Sequence, residues 1–393
     1  MEQSKTNNMM RIGIEAQRLF RPNKHGMDKV ALELIKNLQK IDTVNEYFIF
    51  VKPDQDTSVI SNTSNFKIVE IPGGPYPFWE QYKLPKMVKK YNCDILHCTS
   101  NTAPFSKKTP IITTLHDIIY MEGSVLKLLL NKSSLYQKFG NLYRRIIVRK
   151  VVKISKKLIT VSNFEKNNIS NYFKLTDKNI KTVYNGVSEQ FTLNKNDDFI
   201  NEVKTKYQLP ENYFFHIANK DPRKNTKRVL EAFNQYLSNN NQKPKLLLVG
   251  CKEADLKAML QEMDAKYLSE DIILTGYVLD QELPILYQLS KIFLFPSLRE
   301  GFGIPIIEAM ASGVPVITSK TSSMPEVAGN AAHLINPNDT DEITKAIEKI
   351  ASDKDYKNQL IQRGLKQSKL FSWNYMALSV LDQYKQIYKE INT

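Results

Sequence analysis

The chain has 393 residues, 42% of them hydrophobic and 24% charged, with three cysteines and a formal net charge of +14. Such a length suits two cores of roughly 150–200 residues rather than one. Three scattered cysteines exclude a disulfide framework, Cys93 and Cys98 lack the second ligand pair of a zinc site, and no stretch reaches the roughly 20 apolar residues of a membrane span.

The polar start, residues 1–10, has no apolar leader, and the expectation is a cytoplasmic protein. Short β-rich runs then alternate with helical stretches, the pattern of parallel sheets covered by helices. In the first half strands are expected at 11–15, 47–51, 67–71, 94–97, 111–115, 157–161 and 181–184, with helices at 27–40 and 79–90. A loop ending at Gly26 leads into the first helix, and the strand at 111–115 runs into His116 and Asp117. The polar stretch 188–198 reads as a linker, which divides the chain into domains at 1–190 and 191–371.

Charge is distributed unevenly over that division. Residues 1–190 hold 30 Lys and Arg against 16 Asp and Glu, whereas the remainder holds 25 of each. Ten basic residues and no acidic one lie between Glu122 and Glu165. Around 126–157 they interleave with Leu, Tyr, Phe, Ile and Val, which suits a helix lying on an anionic membrane face. A helix packed on the sheet with a solvated basic side is the simpler alternative.

In the second half strands are expected at 213–218, 245–250, 271–275, 291–295, 314–318 and 333–335, with helices at 225–238, 253–268 and 341–350. Each half reads as a doubly wound domain with ligands at the carboxyl ends of its strands. The last segment, 372–388, has the apolar spacing of an amphipathic helix.

One stretch carries the chemistry. After the strand at 291–295 comes Glu300-Gly301-Phe302-Gly303, then a helix opened by Pro305 and stopped by Gly313. The glycine turn lets the backbone approach a ligand, and the helix start favours an anion. Glu308 lies one turn after Ile304, at the edge of an expected apolar face of Ile304, Ile307 and Ala311. Two glutamates at this spacing are compatible with a terminus carboxylate and a solvated helix residue. Two carboxylates around an anion-binding turn also suit a phosphate flanked by two polyols, as in a nucleotide-sugar. In full, Glu300-Gly301-Phe302-Gly303-x-Pro305-x-x-Glu308-Ala309-x-Ala311-x-Gly313-x-Pro315-Val316 resembles the E-x7-E signature of retaining, GT-B-fold glycosyltransferases of family 4.

That resemblance implies an α/β architecture of two Rossmann-like, doubly wound domains facing across a cleft. The first binds the acceptor, the second the nucleotide-sugar, and the last helix, 372–393, packs back onto the first. Donor binding is then assigned to Gly26, Arg223, Lys224, Glu300, Gly301, Phe302, Gly303, Ile304 and Glu308, and catalysis to Glu300, His116, Arg223 and Lys224. Asp117 orients its loop or helps bind acceptor. Arg223 can clamp phosphate oxygens in two-point fashion while Lys224 acts as a point charge. The chain departs from the family at Ala218, where glycine is usual, and at His25-Gly26-Met27 in place of Gly-Ile-Gly.

The expected reaction moves a hexosyl sugar from a UDP- or GDP-sugar to a hydroxyl of a lipid-linked or saccharide acceptor. Its setting would be bacterial surface polysaccharide, glycolipid or glycoprotein glycan assembly, peripheral to the inner face of the cytoplasmic membrane. The acceptor attacks on the face the leaving group departs, so no protein nucleophile is expected. No cofactor or metal is expected either, because no Asp-x-Asp motif is read at a strand end and the two cations can neutralise the diphosphate. A sugar-nucleotide epimerase would share the architecture but needs acid/base residues that the first half does not display. A nucleic-acid-binding protein would account for the basic half alone.

Overall fold

The computed structural model of the chain describes residues 9–106, 108–122, 135–176, 179–193, 196–219 and 221–393, with backbone alone at 135–138. It divides into two compact units, Met1–Asn185 with Trp373–Thr393, and Gly186–Ser372.

The first unit is built on β1 (Arg11–Glu15), β2 (Glu46–Val51), β3 (Phe66–Glu70), β4 (Ile95–Cys98), β5 (Ile111–Leu115), β6 (Lys157–Thr160) and β7 (Ile180–Thr182). Their order is β3-β2-β1-β4-β5-β6-β7, and every pairing is parallel. Among its helices are α1 (Gly26–Ile41), α2 (Leu84–Lys90), α3 (Leu135–Ile154) and α4 (Asn163–Phe173).

The second unit has β8 (Tyr213–Ile217), β9 (Lys245–Val249), β10 (Ile272–Leu274), β11 (Ile292–Phe295), β12 (Val316–Ser319) and β13 (His333–Ile335). They lie in the order β10-β9-β8-β11-β12-β13, again all parallel. Helices α5 (Asp197–Lys206), α6 (Thr226–Asn239), α7 (Glu253–Glu262), α8 (Leu283–Leu289), α9 (Ile304–Ala311), α10 (Met324–Ala328), α11 (Thr340–Ser352) and α12 (Lys354–Ser368) accompany them. A last helix, α13 (Trp373–Asn392), belongs to the first unit and packs along α1.

Parallel strands are covered on both faces, so their sequences read as unbroken apolar runs. Leu246, Leu247 and Leu248 of β9, and Ile292, Phe293, Leu294 and Phe295 of β11, are all buried. In each sheet the chain runs outward one way and then the other, reversing between β1 and β4 and between β8 and β11. Such reversals open a crevice at the strands' carboxyl ends, the usual ligand position in doubly wound sheets.

Several expectations need correction. The stretch 188–198 is not a free linker: Phe191 is buried against Tyr287, and α5 already begins at Asp197. The expected helix at 253–268 stops at Glu262, because Asp264 turns to a left-handed φ of 52° before a tighter run at Lys266–Asp271. The helix at 79–90 opens with a wide turn, in which the Leu84 N–H reaches the Trp79 carbonyl five residues back. On α9 the buried side is Ile306, Ile307, Ala309 and Met310, while Ile304, Glu308 and Ala311 share the half-buried side. Pro305 is the second helical residue, not the first. Residues 126–134 of the expected membrane segment lie outside the described residues.

Candidate active site

In the second unit the two motifs meet at the β8/β11 reversal. Phe215 of β8 lies opposite Phe293 of β11, so the loops leaving both strands emerge side by side. Asp221 caps a short turn at Pro222–Lys224, and Asn225 follows with φ 61°, a conformation that Asn tolerates better than most residues. Buried Asn225 donates from Nδ2 to the Pro296 carbonyl (2.9 Å) beyond β11 and to the Pro337 carbonyl (2.6 Å) beyond β13. The Leu298 N–H donates to the Arg223 carbonyl at 2.7 Å. One side chain and one backbone bond thus fix three loops to one another.

Those bonds place Lys224 Nζ 2.7 Å from Glu300 Oε1, both side chains largely shielded and the ammonium 5.2 Å from the Phe295 ring centroid. Arg223 lies close by, but its guanidinium donates to Asp221. Burial raises the Asp221 carboxyl, yet the Arg223 bonds and the nearby cations outweigh it and leave it below the usual carboxylate range. The Glu300 turn is braced from the loop after β12. Ser322 Oγ accepts from the Glu300 N–H (3.0 Å), and Ser323 Oγ bonds the carbonyls of Glu300 (3.0 Å) and Phe302 (2.9 Å).

Gly303 has φ 103°, and a Cβ there would meet Ile306 Cδ1 at 3.0 Å, so glycine is required. It opens α9, four residues before Ile307 and five before Glu308, whose Oε2 accepts from the Tyr287 hydroxyl at 3.1 Å. His216 at the β8/β11 seam bonds the Leu294 carbonyl (2.8 Å) and Thr226 Oγ1 (3.1 Å). Burial pulls its pKa down to about 4, so it is a neutral core residue beneath the site.

The first unit has its own crevice, at the β1/β4 reversal. Gly26 opens α1, and a Cβ there would have no neighbour within 4 Å; nothing in the fold itself requires glycine at that position. His116 follows β5 and is buried. Its N–H donates to Asn101 Oδ1 at 2.7 Å, and its Nε2 lies 2.8 Å from the Thr99 carbonyl. Burial lowers its pKa, so the ring is neutral with Nε2–H donating and Nδ1 left as an acceptor. Asp117 accepts from the Ile119 N–H at 3.1 Å, a turn-closing bond. The triplet Asp54-Gln55-Asp56 beyond β2 has the spacing that the sequence reading did not credit, and Asp56 is paired with Lys24.

Sequence reasoning missed the supports of these residues: Ser322 and Ser323, the bracing role of Asn225, His97 and Glu80. His97 Nδ1 lies 2.6 Å from the Tyr384 hydroxyl of α13, and its Nε2 lies 2.8 Å from Thr114 Oγ1. Ser322, Asn225 and Tyr384 stand far along the chain from what they brace, so no local spacing announces them. A lone acid between Trp79 and Leu84 was the only available hint of Glu80.

Residues 25–191 match the family described as Glycosyltransferase Family 4, and residues 198–367 match Glycosyl transferases group 1. O-antigen chain mannosyltransferase B of Escherichia coli is 31% identical over 59% of this chain and 61% of its own length. O-antigen chain mannosyltransferase RfbU of Salmonella typhimurium is 28% identical over 75% of this chain and 74% of its own. Against a second Escherichia coli relative, the serotype-specific mannosyltransferase WbdA, the match spans 29% of that protein. Among solved structures, Anabaena Alr3699/HepE in complex with UDP and glucose superposes with a TM-score of 0.73 at 15% identity, over 96% of this chain and 100% of that one. The sucrose-phosphate synthase of Thermosynechococcus elongatus gives 0.72 at 17%, over 97% and 100%. The fold is GT-B, and with both units matched the chain belongs to glycosyltransferase family 4.

Proposed function

We propose that this protein transfers a hexosyl group, mannosyl by the names of its relatives, from a nucleoside-diphosphate sugar to a saccharide or lipid-linked acceptor in surface-polysaccharide assembly, with retention of configuration. The observation that carries the proposal is the Lys224–Glu300 pair at the β8/β11 reversal, which brings the two family motifs to one point. Lys224 has three donors and can divide them between Glu300 and a phosphate oxygen. Arg223, Lys224 and the start of α9 then stabilise charge building on the departing diphosphate. Glu300 faces sugar hydroxyls, Glu308 the ribose, and His116 takes part in the transfer. The acceptor proton passes to the departing phosphate, so no protein nucleophile and no metal take part.

Incubation with UDP- and GDP-sugars in turn, with and without a polysaccharide-repeat acceptor and with EDTA, tests this. Acceptor-dependent, EDTA-resistant transfer with the anomeric configuration kept is expected. Sugar conversion without acceptor would indicate an epimerase, and a strict metal requirement would contradict the diphosphate assignment.

The reading extends to a membrane surface. Ile147, Val148, Val151 and Val152 of α3 are buried, yet Phe139, Leu142 and Ile146 on the same helix are exposed at 59%, 41% and 49%. Arg144, Arg145, Arg149, Lys150 and Lys153 accompany them. Exposed apolar residues among cations favour an anionic bilayer over a merely solvated face.

A further inference from the structure

Glu80 is fully buried within the wide turn at Trp79–Lys83. Turns of this kind are rare and cluster at functional positions. Its Oε1 accepts from the Tyr76 hydroxyl (2.6 Å) and from Thr102 Oγ1; its Oε2 accepts from Gln81 Nε2 (2.9 Å) and from the Tyr143 hydroxyl. Three separate pieces of chain therefore converge on one carboxylate: the turn itself, the loop after β4, and α3. Gln81 reinforces the junction by donating to the Tyr143 hydroxyl (3.0 Å) and the Ala103 carbonyl (3.1 Å).

The loop after β4 is the one on which His116 rests. Thr99 supplies the carbonyl at Nε2, and Asn101 supplies the oxygen for the backbone N–H. Asn101 has φ 69°, in the left-handed region that Asn tolerates better than most residues. Thr102, the next residue, is the one clamped by Glu80. We propose that Glu80 is a positioning residue, tying α3 to the β4 loop and thereby holding His116 in its working orientation. The functional half of this rests on His116 taking part in transfer, while the positioning itself does not. A carboxylate suits the place because it offers acceptors to every donor around it, whereas an amide would turn half of that shell into donors facing hydroxyls.

The chain has five histidines, so the ring signals of His116 can be resolved by labelling histidine with ¹³C and identified from a His116→Asn sample. In Glu80→Gln, Tyr143→Phe and Thr102→Val, the His116 ring resonances should move while those of His216 and His333, in the other unit, stay in place. Transfer should fall roughly 10- to 100-fold, as for a group misplaced by about 1 Å, with nucleoside-diphosphate affinity unchanged. Tyr143→Phe, which removes one hydroxyl, keeps the test valid should Glu80→Gln not fold. Unmoved His116 signals in a folded variant would overturn the proposal, even with a lowered melting temperature. Full turnover in a folded His116→Ala protein would instead remove the transfer-site reading and leave the positioning intact.

Discussion

At the scale of single residues, Glu300 and Lys224 depend on each other. Replacing Glu300 by Ala removes the proposed contact to the sugar and strands a shielded ammonium, whereas Gln keeps an acceptor for Lys224. Both variants should lower turnover by roughly a hundredfold, the effect of about 3 kcal/mol lost in the transition state. Glu300→Ala should also be the less stable in urea. Steady-state kinetics beside denaturation separates the two effects, and wild-type turnover in either variant would end the assignment. Glu15, at the end of β1, offers a pH test. Burial, with the Glu80 charge adding to it, pushes its carboxyl up to about 7 from 4.5, and among the described residues its Oε2 has no hydrogen-bond partner. Between those two values the folded state binds the proton that the unfolded chain has released. Its contribution to stability is therefore complete below about 4.5 and lost as pH rises through about 7. Relative to Glu15→Gln, the wild type should lose on the order of 3 kcal/mol over that interval, read from urea midpoints. A constant difference would show that Glu15 titrates normally.

At the scale of elements, the loops of the second unit stand or fall with Asn225. Asn225→Gly keeps access to the left-handed conformation but leaves two buried carbonyls unmatched, at a cost of about 2 kcal/mol. Asn225→Ala should cost about 1 kcal/mol more, because its Cβ resists that conformation. Equal losses would mean that the backbone conformation carries no strain. For α3 the measurement is flotation with vesicles. Binding should require anionic lipid, weaken steeply with salt, and drop when Arg144, Arg145, Arg149 and Lys150 become Gln. Each cation near such a surface contributes about 1 kcal/mol within a Debye length of roughly 8 Å. Indifference to anionic vesicles at low salt would return α3 to an ordinary solvated helix.

At the scale of the whole molecule, the charge asymmetry follows the division into units. With α13 counted in the first unit, that unit holds 32 Lys and Arg against 17 Asp and Glu, and the second holds 23 against 24. The basic surplus belongs to the unit assigned to the acceptor. Nucleotide binding should therefore depend weakly on salt while surface docking depends on it strongly. A ligand at a hundred times its dissociation constant adds about 2.7 kcal/mol of stability, so UDP and GDP can be ranked by thermal shift. What the sequence determined by itself was local and periodic. Apolar runs bounded by turn residues marked nearly every strand, and the Glu300–Gly313 stretch carried its glycines, proline and carboxylates within eighteen residues of the end of β11, so the family motif was legible before any folding was considered. Tertiary structure decided the pairings between distant residues: Asn225 with Pro337, Glu300 with Ser322, His97 with Tyr384, and Glu80 with Thr102 and Tyr143. A buried polar group must find its partner wherever the chain's path brings one near, and that path is set by sheet order and packing rather than by spacing along the sequence.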